Sequence, residues 1–196
     1  MVYPLEKPRI TSKYNVMRTI MGTTRLHKGL DIVSTTGDRN VRVIKDGIYR
    51  GAFYDKNGFG NYVTVEHDDG VRTIYAHLES FANIPKNTRI KAGTIVGIEG
   101  TTGRSTGIHL HIEGRKPPYL AANHIDIAKY MGVENELGAF KEVVEKKFGY
   151  TKEEAMDKVQ EYTGFEEATM KYLDNYKWNF DLFAKLANAI EPKDQS

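Results

Sequence analysis

Ile108-His109-Leu110-His111-Ile112-Glu113 has the two-residue period of a β-strand. Alternation sends His109 and His111 to one face and turns Leu110 to the other, toward a core. The two imidazoles then sit on Cα atoms about 7 Å apart, a spacing that strands deliver by period alone. It suits one metal ligand beside one acid–base group. A bare His-x-His is equally at home on an exposed sheet face, so the neighbouring sequence has to decide.

Outward from this strand, the first 115 residues read as β. Further candidate strands are Arg9–Ser12, Leu30–Val33, Val41–Ile44, Ile48–Phe53, Asn61–Glu66, Arg72–Leu78, Thr88–Ile90 and Ile95–Ile98, with turn signals between them. In Asn61–Glu66, Val63 and Val65 face one way and Tyr62, Thr64 and Glu66 the other. His67-Asp68-Asp69-Gly70 then makes a hairpin turn, with Gly70 able to take positive φ. Many short strands in succession predict a small antiparallel sheet or barrel-sandwich, so the fold class is mainly β.

The tail differs. Thr151-Lys152-Glu153-Glu154 is a capping box, and Gly164 closes the helix that it opens. Residues 137–148, 152–163, 165–176 and 179–190 read as short helices. The expected organisation is a β domain over residues 1–130 and a small C-terminal α-helical module over 134–196.

The 196 residues contain no Cys, which excludes disulfides, thiolate zinc sites and cysteine nucleophiles. Any metal must be held by His and carboxylates. No apolar run reaches the roughly 18 residues of a membrane span. The first residues, Met1-Val2-Tyr3-Pro4-Leu5-Glu6, lack the basic start and apolar core of a signal peptide, which predicts synthesis in the cytoplasm. The net charge of +2 hides an asymmetry: residues 134–196 hold 9 Lys and 14 acidic residues, a net of −5, and residues 1–133 carry +7. A basic front half favours an anionic partner.

Four of the six histidines sit in informative places. In His27-Lys28-Gly29-Leu30-Asp31, an imidazole and a carboxylate are both good zinc ligands. Gly29 lets the backbone bend or lets another group approach. Asp31 opens an apolar strand, an expensive place for a charge without a partner. In Tyr75-Ala76-His77-Leu78, alternation puts Thr73, Tyr75 and His77 on one face and predicts that this face looks into a cleft. His67 and His124 read as surface or structural. A catalytic zinc needs three ligands and an open position. His27, Asp31 and one of His109 and His111 supply the three. The two remaining imidazoles serve as general base and acid, since their pKa lies near neutrality. No His-Glu-x-x-His motif is present, so the proton chemistry rests on histidine.

These motifs resemble those of the lysostaphin-type, or LytM-like, zinc metallopeptidases, which cleave peptide bonds in bacterial peptidoglycan. The matching stretches are Arg9–Tyr14, His27–Asp31, Gly58–Tyr62, Tyr75–Leu78 and Gly100–Glu113, in the family's order. The resemblance covers roughly residues 9–126. It implies a small antiparallel fold with a groove across the sheet, walled by loops such as Gly100–Thr106. It implies one Zn²⁺ per chain held by His27, Asp31 and His111, with His77 and His109 as the catalytic pair. Many members carry a Tyr shortly before the first His. Here Met21 and Thr23 occupy that stretch, which leaves the oxyanion donor unassigned.

The expected function is therefore a zinc endopeptidase acting on peptidoglycan stem peptides or crosslinks. A wall hydrolase with a small second module and no leader looks like a phage lysin or a tail-associated protein. The C-terminal helices would then contact the phage particle or a wall polymer, with no nucleic-acid partner and no membrane span. The rival readings are a non-catalytic wall-binding or regulatory module using the same groove, and a phosphocarrier or lipoyl-type carrier domain. The carrier has no use for His27 and Asp31. The substrate-binding residues and the bond cleaved are not legible.

Overall fold

A computed structural model of the chain describes residues 2–20, 22–139 and 151–163. The chain divides into two compact units, residues 1–143 and 144–196.

In the first unit every strand pairing is antiparallel. The main sheet begins with β1 (Pro8–Ser12). A separate ribbon follows, β2 (Met17–Ile20) and β3 (Thr23–Leu26), and the chain re-enters the main sheet as β4 (Leu30–Ser34). Next come β5 (Asn40–Arg42), the long hairpin β6 (Gly47–Asp55) and β7 (Gly60–His67), and β8 (Arg72–Ala76). Short strands β9 (Ser80–Phe81), β10 (Thr88–Ile90) and β11 (Ile95–Ile98) lead to β12 (Leu110–Arg115). β13 (His124–Ile125), the one-turn helix α1 (Ile127–Tyr130) and β14 (Gly138–Ala139) complete the set. The main sheet runs β10-β6-β7-β8-β12-β4-β1-β14, with β13 beside β12. β5, β11 and β9 make a second, three-stranded sheet. The mainly β class is as the sequence predicts.

Alternation explains which face is buried. Leu30 and Ile32 on β4 pair with Ile112 and Leu110 on β12, and Ile112 pairs with Tyr75 on β8. All five are buried in one apolar core with Val63, Val65, Val41 and Val96. Val63 and Val65 of β7 are fully buried in the core as predicted, while on the other face Tyr62 and Glu66 are half-buried and Thr64 is buried as well. The turn after β7 closes as predicted: the Gly70 N–H donates to the His67 carbonyl at 3.0 Å, and Gly70 has φ +78°. Asp31, His111, Glu113, Ile74 and Ala76 share the opposite face of the sheet, where the candidate site lies.

Five short strands, β2, β3, β9, β13 and β14, escape the sequence reading. β2 and β3 alternate no apolar face, because Arg18, Thr19, Thr24 and Arg25 lie between their few apolar residues. β9 is too short to show a period. The expected helix over 137–148 needs correction at its start. Gly138 and Ala139 form an edge strand paired with Ile10 and Arg9, using backbone groups that a helix would have turned inward. Residues 140–148 of that helix lie outside the described residues.

In the second unit the helix expected over 152–163 is present as α2 (Lys152–Thr163). Its capping box forms reciprocally: the Thr151 hydroxyl accepts from the Glu154 N–H at 3.1 Å, and the Glu154 carboxylate accepts from the Thr151 N–H at 2.7 Å. The expected helices 165–176 and 179–190 lie outside the described residues, so a helical module is not supported beyond α2. No helix among the described residues is long and apolar enough to cross a membrane.

Candidate metal centre

Asp31 on β4 stands directly opposite His111 on β12, so sheet register alone brings the two together. The His111 Nδ1 lies 2.8 Å from the Asp31 Oδ1. His27, just before β4, completes the cluster, with its Nε2 3.0 Å from the same carboxylate oxygen and 3.1 Å from the His111 Nδ1. All three residues are buried. Gly29 makes the approach possible: a Cβ there would lie 2.5 Å from both the His111 ring and the Ile112 carbonyl.

Each ring is oriented from behind. The His27 Nδ1 faces the Lys13 carbonyl at 2.7 Å, which directs its Nε2 lone pair inward. The His111 Nε2 points at Glu113, 3.6 Å from the carboxylate. The other Glu113 oxygen accepts from the Arg115 Nε at 2.8 Å. Phe59 packs against the His111 ring, 5.7 Å between centroids. Carboxylate or carbonyl support behind metal-ligating histidines fixes tautomer and ring angle.

Electrostatics agree with a cation-binding cradle. Burial disfavours charge on Asp31, yet the hydrogen bonds from His111 and His27 hold its carboxyl well below the usual carboxylate range. Burial lowers the pKa of His27. His111 also loses solvation, but Asp31 and Glu113 outweigh that and raise it to about 9. Three lone-pair donors within 3.1 Å of one another leave room for a single cation at their centre. Tetrahedral zinc, with ligands at about 2.0–2.1 Å, spaces its donors by about 3.3 Å. The donor set of two imidazoles and one carboxylate fits zinc.

His77 and His109 stand beside this cradle with ring centroids 4.8 Å apart, and His77 lies 5.8 Å from the His111 ring. The His77 Nδ1 faces the Thr102 carbonyl and the His109 Nδ1 the Gly107 carbonyl, both at 2.8 Å. In each ring the Nδ1–H is thereby tied back and the Nε2 is left as a proton acceptor. Burial, with the neighbouring His111 and His109, lowers His77 to about 4. The route by which His77 arrives differs from the expected alternation. Tyr75, which was expected to share its face, is wholly buried in the core. The strand stops at Ala76, and His77 adopts φ +64°, a left-handed conformation that swings its ring to the site face.

His67 and His124 are structural, as expected. His67 is buried and bonded to the Asp46 carbonyl and the Thr73 hydroxyl. The His124 ring meets the Tyr14 hydroxyl at 2.9 Å.

The sequence reading missed Arg18, whose guanidinium bonds to the Asp31 carboxylate from the β2–β3 ribbon. It also assigned nothing to Glu113, Arg115 or Phe59. Glu113 carried a usable signal: it lies two residues beyond His111 and so shares its face. Two cavities flank the cluster. One, of about 580 Å³, is lined by His27, His77 and His111. The other, of about 320 Å³, is lined by Asp31 and His109.

A mixed His–carboxylate cradle open to a groove, with free imidazoles at its rim, is the equipment of a metallopeptidase. Residues 25–127 match the sequence profile of Peptidase family M23, and the chain belongs to that family of zinc metallopeptidases. The DD-carboxypeptidase/endopeptidase Mpg of Neisseria meningitidis serogroup B is 42% identical over 117 residues, covering 58% of this chain and 26% of that protein. The catalytic domain of the antimicrobial peptidase lysostaphin from Staphylococcus simulans has a TM-score of 0.56 at 28% identity, over 63% of this chain and 91% of that one. A zinc-containing peptidase from Vibrio cholerae has a TM-score of 0.50 at 31% identity, over 63% of this chain and 37% of that one. The matched segment spans about a quarter of the length of the curated relatives.

Proposed function

We propose that this chain is a zinc-dependent endopeptidase that hydrolyses peptide bonds in bacterial peptidoglycan. The observation that carries the reading is the convergence of His27, Asp31 and His111 within 3.1 Å, with His77 and His109 paired at the rim of the same groove. The family membership and the peptidoglycan-type names of relatives such as Mpg support the substrate.

His27, through Nε2, and His111, through Nδ1, would donate the lone pairs that hold zinc, and the Asp31 carboxylate would neutralise one of its charges. Zinc there supplies a Lewis acid and lowers the pKa of a water toward about 7. His77 and His109 do the proton work. With Nδ1 tied to a carbonyl, the Nε2 of one takes the proton of the attacking water and returns a proton to the leaving amine nitrogen. The imidazolium so formed steadies the oxyanion while it holds that proton, and the second imidazole stands beside it as a further proton acceptor. The depressed pKa of His77 keeps it in the acceptor form at neutral pH. The β2–β3 ribbon and the 100–107 loop wall the groove, where an extended peptide can lie.

The segment from residue 144, ten residues beyond the expected start because Gly138 and Ala139 pair with β1, is read as a module for targeting or assembly in a phage-borne wall hydrolase. Its acidic sequence and the capped helix α2 support a separate unit.

The test is mass spectrometry of purified peptidoglycans of several crosslink types after incubation with zinc-loaded protein, beside a chelated control. New amine ends at one bond, lost on chelation, are expected. Wall binding that survives chelation without new ends would overturn the enzyme in favour of a binding module.

A further inference from the structure

A residue with a Cβ keeps the left-handed conformation of His77, φ +64°, only where its surroundings over-determine it. Here they do. The His77 N–H donates to the Phe59 carbonyl at 2.8 Å, and the next N–H, of Leu78, donates to the Asn61 carbonyl at 2.9 Å. The two carbonyls of this bend and the imidazole all meet one residue of the 100–107 loop, Thr102. The Thr102 N–H donates to the His77 carbonyl at 3.4 Å, and the Thr102 carbonyl faces the His77 Nδ1 at 2.8 Å. The Thr102 hydroxyl donates to the Leu78 carbonyl and accepts from the Asn61 N–H, both at 2.9 Å.

The hydroxyl therefore ties three segments together: its own loop, the start of β7 at Asn61 and the bend after β8 at Leu78. The seat for it is cleared by a glycine. Gly60 has φ +61°, and a Cβ there would overlap both the carbonyl and the hydroxyl oxygen of Thr102. The consequence falls on the imidazole. A carbonyl oxygen accepts and cannot donate, so the one at Thr102 takes the Nδ1–H of His77 and leaves Nε2 with its lone pair. A carbonyl that drifted away would release the ring to the other tautomer, whose Nε2–H cannot take a proton from water.

We propose that Thr102 is a positioning residue for His77: its hydroxyl pins the 100–107 loop to β7 and to the bend at Leu78, and the carbonyl so fixed sets the tautomer of the imidazole. The effect on turnover rests on the peptidase reading; the effect on the tautomer does not. Thr102 acts through His77, so its loss is read in kcat and leaves KM and the zinc ligands alone.

The test uses the whole zinc-loaded chain with isotope-labelled histidine. Ring-nitrogen NMR shifts report which nitrogen of His77 carries the proton, and the spectrum of His77→Ala assigns the signal. The parent is expected to hold the Nδ1–H form. Thr102→Val is nearly isosteric and loses both hydroxyl bonds. In it the Nε2–H form is expected to appear. Hydrolysis of a cleavable wall peptide should fall by about 10–100-fold in kcat, the usual cost of losing an outer partner of a functional histidine, with KM within about threefold and zinc content unchanged. Thr102→Ser keeps the hydroxyl and should restore the Nδ1–H form, with kcat within about threefold of the parent. Thr102→Ala, which places no methyl against Asn61, takes the place of the valine variant if that one does not fold. An undiminished kcat, a tautomer unchanged by loss of the hydroxyl, or a serine variant that falls as far as the valine one overturns the proposal and leaves the peptidase reading intact. If the parent cleaves no wall peptide, the peptidase reading falls. The tautomer then decides the role of Thr102 alone: a switch on loss of the hydroxyl upholds it, and no switch overturns it.

Discussion

The Glu113 carboxylate lies 3.6 Å behind the Nε2 of His111 and is itself held by the Arg115 Nε at 2.8 Å. This relay presses the opposite nitrogen of His111 toward Asp31 and His27. Removing such a support costs a zinc site about 10–100-fold in affinity. Glu113→Gln is therefore expected to weaken zinc by that factor. The variant keeps the shape but breaks a buried carboxylate's pairing with Arg115 and His111, so the chelated protein should also melt lower, and zinc affinity is compared well below that melt. Competition with a chromophoric chelator measures the loss; unchanged affinity would show that the relay does not act on the metal.

Gly29 and His111 are a second coupled pair. A methyl group at position 29 would lie 2.5 Å from the imidazole and from the Ile112 carbonyl. The carbonyl belongs to a central strand and cannot move aside, so the ring must. Gly29→Ala is expected to abolish stoichiometric zinc binding and to destabilise the domain by about 1–3 kcal/mol, the usual cost of overpacking. Zinc content after dialysis and a denaturant melt read the two effects separately.

The five candidate residues should divide into two classes. His27→Ala, Asp31→Ala and His111→Ala are expected to lose zinc. His77→Ala and His109→Ala are expected to retain zinc and melting temperature while losing at least about 10²-fold in kcat, the contribution of positioned proton transfer. Metal analysis beside hydrolysis of a cleavable wall peptide checks the division. Full activity in both of the latter variants would refute their role.

Much of this site was legible because two of its strands are simple. In Leu30–Ser34 and Leu110–Arg115 a strict period of two places Asp31 and His111 on one face and the core residues on the other. His77 was placed in the site for the wrong reason. Period counting carries the Tyr75 face into the cleft, but the φ of +64° at His77 breaks the period, and no residue of Tyr75–Leu78 announces that break. Arg18 was not legible at all. It reaches Asp31 from a ribbon whose strands show no apolar period, across a distance in sequence that only the tertiary fold closes. Glu99, in the sequence an ordinary acidic residue after a strand, becomes unusual only through its burial.

That burial gives the protein a pH signature. Glu99 is 3% exposed, and its Oε1 has no hydrogen-bond partner among the described residues. Burial raises its pKa to about 7, against the opposing effects of the Ser34 backbone N–H and the Arg39 charge. In the unfolded chain the carboxyl ionises near its ordinary value of 4.5. Between that pH and about 7 the folded protein therefore binds more protons than the unfolded one, and stability falls as pH rises. Below the window the neutral carboxyl imposes no cost; above it the cost is complete. Glu99→Gln stays neutral throughout. Relative to the parent it should gain about 1–3 kcal/mol at pH 8 and little at pH 4.5. Urea melts of the chelated protein and the variant at the two pH values measure that difference, and a gain independent of pH would show that Glu99 does not titrate across the window.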